Sequence, residues 1–138
     1  MSETDIPEGF QLHDRRSGLT EPWQPIYQRA HADGLSLGLR AGTAHVNSRH
    51  FVHGGLISAL ADNAMGLSCA GQLENIGGLV TVSMTLDYLD VARQGQWLEV
   101  RAKVLKAGKS LCFASTEIYA DDTLCAVARG VFKVVQPR

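Results

Sequence analysis

The chain has 138 residues, of which 45% are hydrophobic and 20% charged, with a formal net charge of −1. That length fits one domain able to bury a core without staples, and the near-neutral charge excludes a general nucleic-acid binder, which needs a clustered excess of Lys and Arg. No apolar run approaches the roughly 20 residues of a membrane span, and the acidic, polar start MSETDIPEGF is neither a secretory signal nor an Arg-rich transit peptide, so a cytoplasmic protein is expected.

Residues 1–25, polar and carrying Pro7, Pro22 and Pro25, read as an extension of loop or short helix ahead of a single domain over 26–138. In PIYQRAHADGLSLGLRAG two short strands flank a turn at Asp33-Gly34. Leu35, Leu37 and Leu39 alternate there with Ser36, Gly38 and Arg40, the period of a half-buried strand. Strand-like patterning continues through Ala44 to Asn47.

From Gly55 to Gly71 the period changes. Leu56, Leu60, Ala64 and Leu67 recur at helical spacing, with Ile57, Ala61, Met65 and Ser68 as the adjacent stripe. A helix this apolar on nearly all sides predicts burial in the middle of the protein, and Gly71 reads as its C′ stop. After the loop ENIGG, four strand-like runs follow: LVTVSMTLDYL, QWLEVRAKVLKAG, SLCFASTEIYA and TLCAVARGVFKVV. Turn signals at ARQGQ, KAGK and ADDT predict sequential hairpins, hence an antiparallel sheet that curls around the one helix. The fold class is α+β. The three cysteines, Cys69, Cys112 and Cys125, show no CxxC or zinc-like spacing and read as small buried hydrophobes in a reducing compartment, with no metal site.

The stretch HFVHGGLISALADNAMGLSCAG carries the candidate chemistry. Asp62 sits mid-helix, where it cannot cap, and its i±3 and i±4 neighbours are Ala59, Met65, Ser58 and Gly66, none basic. A buried acid without a partner is costly, so either it is a satisfied core group, sharing a polar patch with Asn63, or it is functional. It lies nine positions after His53, roughly 13 Å along a regular helix. Within one subunit the two cannot meet on one carbonyl. Either they are unrelated, or Asp62 faces the glycine turn of a second copy across an isologous homodimer.

Gly54 and Gly55 let a ligand approach the unpaired N–H groups and positive dipole end of the helix, an arrangement suited to an oxyanion. His53 fits an orienting role better than general-base work, because the dipole disfavours its cation. His45 and His50 form no metal spacing with it, and no GxSxG nucleophile elbow is present.

NSRHFVHGGLISALADNAMG, followed by VTVSMTLDYL and VLKAGKSLCF, resembles the hotdog-fold acyl-CoA thioesterases of the PaaI-like group, from about Leu35 to Val135. The resemblance implies a curved antiparallel sheet wrapped around one long helix. It implies Asp62 as general base for water or as nucleophile, and a Gly54 N–H that polarises the thioester carbonyl. Asn47 would place water or acyl group, His53 would orient the turn, and Thr81 would line the site beside Asp62. Each site would take Asn47, His53 and Gly54 from one subunit and Asp62 and Thr81 from the other, in a homodimer that commonly pairs into a dimer of dimers.

For coenzyme A, itself part of the substrate and so no cofactor, the resemblance implies Lys106, Gly108, Lys109 and Ser110 at the nucleotide phosphates. Tyr88, Leu89 and Arg93 would lie beside the pantetheine, with Gly55 at the glycine turn. Lysines in such a turn are as readily just solvated. Where the family often has Pro before Ala, this chain has Val91. The expected activity is hydrolysis of an acyl-CoA whose acyl group, aryl, short or long, is open. The alternative is a non-catalytic acyl-CoA-binding protein. The HFPG-like or hydratase motif of hotdog dehydratases is absent from HFVHGG.

Overall fold

A computed structural model describes residues 5–138; positions 1–4 of the expected N-terminal extension lie outside the described residues. Seven strands, β1 (Gln11–Leu12), β2 (Tyr27–His31), β3 (Gly34–Arg40), β4 (Gly78–Tyr88), β5 (Trp97–Ala107), β6 (Leu111–Ala120) and β7 (Thr123–Val135), form one sheet around α1 (Gly54–Ala70). Every neighbouring pair is antiparallel, in the order β1-β2-β3-β5-β6-β7-β4. The curved sheet with one long helix is the expected hotdog class.

The helix starts where His53, extended at φ −62° and ψ 130°, caps it, one residue earlier than periodicity alone predicts. It stops at Gly71 as expected, although that glycine stays right-handed at φ −66° and is no left-handed C′ residue. The chain leaves instead through tightened turns, Gln72 N–H to Cys69 O and Leu73 N–H to Ala70 O, and a left-handed Asn75 at φ 56°. Leu60, Ala61, Ala64, Met65 and Cys69 are fully buried against the sheet, where Ala102, Ala114 and Ala126 let the helix come close. Ser58, Ala59, Asp62, Asn63, Gly66, Leu67 and Ala70 form a half-buried stripe on the other side. In the single chain α1 is therefore not covered all round, contrary to its apolar composition.

Three other expectations change. The ARQGQ segment is not a hairpin between β4 and β5, because β4 crosses to the far edge and pairs with β7. Residues 89–96 run across the sheet end beside the 50–53 loop, through Val52 N–H to Ala92 O and Gln94 N–H to His50 O, and deliver β5 to β3. The first hairpin turns at Ala32–Asp33, and Gly34 belongs to β3. A Cβ there would lie 2.3 Å from the Ala102 carbonyl oxygen.

Strand β3 is also buried on both faces, with Ser36 as covered as Leu37. Its outer side lies under Trp97, itself packed by Phe10 edge-on at 5.2 Å and by Tyr27 at 6.0 Å. Beside it the buried Glu99 carboxylate accepts from the Trp97 indole at 3.0 Å and pairs with Arg101 and Arg29. Part of the polar extension thus joins the sheet as β1 and covers it with Phe10. The ADDT turn is as expected, with Asp121 left-handed at φ 51°.

A side chain at position 38 has no room: a Cβ on Gly38 would stand 2.3 Å from Trp97 Cζ2. Gly38→Ala is expected to cost about 2 kcal/mol by overpacking, read as a lower urea midpoint at unchanged m-value. An unchanged midpoint would show that the Trp97 ring yields freely.

Candidate active site

Two clusters of the expected residues stand at different heights along α1. The first is built at its N-terminus. Asn47 Oδ1 accepts from Arg49 N–H at 2.9 Å and Phe51 N–H at 3.2 Å, fixing a turn whose last residue but one, His50, is left-handed at φ 63°. This local bonding is what Asn does best outside regular structure. Buried His45 braces the loop from below. Its Nδ1 accepts from Gly42 N–H, its Nε2 meets Trp23 O at 2.9 Å, and its carbonyl accepts from His53 N–H.

His53 then caps the helix, its Nδ1 accepting from Gly55 N–H at 2.8 Å, which puts the proton of the neutral ring on Nε2. The glycine pair divides two tasks. A Cβ on Gly55 would press to 2.9 Å from His53 Nδ1, so the capping ring needs a glycine beneath it. The Gly54 carbonyl accepts from the Tyr88 hydroxyl at 2.6 Å, and a Cβ there would sit 3.1 Å from that oxygen. The Gly54 N–H has no hydrogen-bond partner among the described residues, and it stands at the positive end of the helix. Arg93 pairs with Phe51 in an isolated bridge and lays its guanidinium 5.5 Å from that ring, and Leu89 is exposed near Tyr88. Asn47, His53, Gly54, Gly55, Tyr88 and Arg93 thus come together.

The second cluster is two helical turns further on. Asp62 is not unpartnered: Thr81 Oγ1 donates to its Oδ1 at 2.6 Å. That leaves Oδ2 without a partner among the described residues, and Asp62 and Thr81 both line a cavity of about 450 Å³. Apolar walls come from Leu60, Leu37, Leu79 and Phe132. α1 is unbroken from Gly54 to Ala70, so Asp62 lies about 12 Å along the axis from Gly54. The single chain does not unite the two clusters.

The third group, Lys106, Gly108, Lys109 and Ser110, forms the exposed β5–β6 turn, closed by Gly108 N–H to Leu111 O at 2.9 Å. Ser110 O accepts from Val134 N–H, and Val134 faces Leu79, so this turn projects from the Asp62 end of the sheet. Both lysines lack an ion pair among the described residues.

Sequence reasoning missed that His13, Arg15, Arg16, Ser17 and Thr20 of the extension line the cavity beside Asp62. No periodicity or motif announces a contact made across some fifty residues of chain. It also missed the Tyr88–Gly54 bond, for which an exposed Tyr at a strand end is no signal.

One helix cradled by a curved antiparallel sheet makes this a hotdog-fold protein. Residues 50–127 match the family model described as Thioesterase superfamily, and the chain belongs to that superfamily of thioester hydrolases. A Pseudomonas aeruginosa protein named "putative esterase" is 40% identical over 93% of this chain and 96% of its own length. Human acyl-coenzyme A thioesterase 13 is 35% identical over 62% of this chain and 61% of its own length. The crystal structure of a Streptococcus pneumoniae hypothetical thioesterase with coenzyme A superposes with a TM-score of 0.75 over 84% of this chain and 93% of that one, at 18% identity. No helix is long and apolar enough to cross a membrane among the described residues.

The cap carries its own expectation. His53→Ala removes the acceptor for Gly55 N–H and is expected to cost about 1 kcal/mol of stability, measured by chemical denaturation, with His53→Asn recovering most of it. Equal stability of all three proteins would deny the histidine its capping role.

Proposed function

We propose that the chain hydrolyses acyl-CoA thioesters at two symmetric sites of a homodimer. In each, the Gly54 N–H of one protomer polarises the thioester carbonyl and Asp62 of the other attacks it or activates water. The observation that carries this reading is the partnership pattern along one helix. At its N-terminus the Gly55 N–H is consumed by His53 and the Gly54 N–H before it is left free. Two turns on, a carboxylate steadied by Thr81 keeps one oxygen free in a cavity. A free N–H aimed at a developing oxyanion and a positioned carboxylate are the two parts that thioester hydrolysis needs.

The fixed spacing along α1 keeps these parts from serving one carbonyl in one chain, and an antiparallel second copy brings them together. Two features support that copy. α1 leaves its stripe of small and polar residues half-buried, and β4 is an edge strand with Val80 and Val82 exposed at 56% and 59%. Pairing of dimers into a tetramer is part of the same proposal. Coenzyme A as the thiol is supported by the acyl-coenzyme A thioesterase relative and by the coenzyme A in the pneumococcal structure. Asn47, whose Oδ1 is spent on its own turn, offers only its Nδ2 to the substrate. Tyr88, Leu89 and Arg93 would flank the pantetheine, and Lys106, Lys109 and Ser110 would meet the phosphates.

Free-thiol release reads the reaction cleanly, because the three cysteines are buried and burial pushes the Cys125 thiol up to about 11 and Cys69 higher still. Asp62→Asn is expected to lose at least about 100-fold in kcat, and undiminished turnover would sink the mechanism. Gly54→Pro deletes the N–H at the first helical position, where proline's φ fits once the Tyr88 hydroxyl yields a few tenths of an ångström to its Cβ, and should be equally inactive. Mixing the two inactive variants, each first verified as a folded dimer by sizing, should restore roughly a quarter of wild-type activity. Half the dimers are then mixed and each carries one intact site. A mixture that stays inactive would place both groups in one chain's site.

A further inference from the structure

The cavity beside Asp62 has a wall that the family-matched residues 50–127 do not supply. It is the segment from His13 to Thr20. The segment is anchored by His13 N–H to Ile26 O at 2.9 Å, by the His13 ring on the Gln28 carboxamide, and by a buried Thr20 bonded to Ser17. It contributes two exposed arginines to the cavity lining, and they are not equivalent. Arg16 is held by both carboxylate oxygens of Glu21, at 2.7 and 3.0 Å, so its charge is spent. Arg15 lines the same cavity with no hydrogen bond or ion pair among the described residues. The rest of the lining sets apolar Leu60, Leu37 and Phe132 beside polar Ser17, Thr20 and Asn63.

One cavity lining therefore includes a carboxylate, apolar side chains and, from a segment of different origin, a cation without a partner among the described residues. We propose that Arg15 is a specificity-determining residue that recognises a carboxylate at the far end of the acyl chain. The preferred substrates are then ω-carboxyacyl thioesters, the half-thioesters of dicarboxylic acids. The guanidinium fork matches a carboxylate with two parallel hydrogen bonds, whereas a methyl end gains nothing from it. The apolar walls receive the methylenes, and Asp62 repels the distal carboxylate, which fixes which end enters first. This inference rests on the thioesterase reading for the placement of the thioester near Asp62.

The test compares matched acyl-CoA pairs, butyryl with succinyl, hexanoyl with adipoyl and octanoyl with suberoyl, on wild type, Arg15→Ala and Arg15→Lys. The readout is the ratio of the two kcat/KM values within each protein. The expected result is a preference of about tenfold for the carboxylate end at one or more lengths in wild type. Arg15→Ala should reduce that ratio to near one, and Arg15→Lys should restore part of it. The proposal is overturned if wild type has no such preference. It is equally overturned if Arg15→Ala lowers both members of each pair alike, which would put Arg15 on the phosphates of coenzyme A.

A second measurement separates the inference from the activity. Binding of octanamide and of suberic acid monoamide is measured by calorimetry, with no thioester to cleave. If no acyl-CoA is turned over, the thioesterase reading fails. Tighter binding of the monoamide, lost in Arg15→Ala, then still supports anion recognition by Arg15, and equal binding overturns it.

Discussion

The rigidity of α1 is the constraint on which the rest of the structure depends. An unbroken helix from Gly54 to Ala70 fixes the separation of its N-terminal N–H groups from Asp62 at about 12 Å, and no side-chain motion shortens it. The helix cannot bend toward its own acid, because one face is locked to the sheet by Leu60, Ala61, Ala64, Met65 and Cys69, all fully buried. Packing at that density resists any change of path. The alanines of β5, β6 and β7 set how deep the helix lies. That depth in turn sets whether Thr81 on β4 reaches Asp62 and whether Tyr88, seven residues further along the same strand, reaches Gly54. β4 runs antiparallel to α1 and reads it at both heights.

The sheet needs more than the core strands. β3 and the start of β5 would show water an outer face carrying Ser36, Gly38, Trp97 and Glu99. The N-terminal segment takes that role, with Phe10 on Trp97 and Arg29 over Phe10 at 4.6 Å. Glu99 tolerates burial because three donors surround it: the indole N–H and the guanidinium groups of Arg29 and Arg101. The same segment then passes on to the cavity beside Asp62. A stretch that covers the sheet therefore also shapes the site, and the two roles share anchors such as His13 and Thr20.

What was legible in the sequence follows from the range of each interaction. The helix was legible because its periodicity and its histidine-glycine start are local, and the isolated acid at position 62 stood out against them. The strands themselves were legible, and so were the KAGK and ADDT hairpins, which close within a few positions, one by Gly108 N–H to Leu111 O and the other at a left-handed Asp121. The place of β4 was not. ARQGQ does close a tight turn, Gln96 N–H to Arg93 O, but the other backbone bonds of 89–96 go to the 50–53 loop, to Ala41 and to Cys125, partners that no turn signal encodes. The two-sided burial of β3 was illegible for the same reason, since its cover is Trp97, nearly sixty residues away. The stop at Gly71 was legible too, but not its geometry: the tightened turns that follow leave the glycine right-handed. Of the site, the spacing of His53 and Asp62 was legible from the helix rise alone, and Thr81 came only with the family resemblance.

Two adjacent glycines at a helix start would be wasteful if one sufficed, because each weakens the helix by up to about 1 kcal/mol relative to Ala. Their contacts give each a separate reason. Gly55 has no side chain because the His53 ring lies where a Cβ would be, and its N–H is the one the ring takes. Gly54 has none because the Tyr88 hydroxyl lies there, pulling on its carbonyl while its N–H stays open. The cap thus stabilises the helix through the second amide and leaves the first for a ligand. A conventional Ser or Asp cap would add a donor-hungry oxygen beside that amide, and an Asp would add a negative charge where an oxyanion is to form. A neutral imidazole acting only as an acceptor for Gly55 secures the helix end while leaving the positive end of the dipole uncompensated, which is the electrostatic condition the proposed chemistry requires.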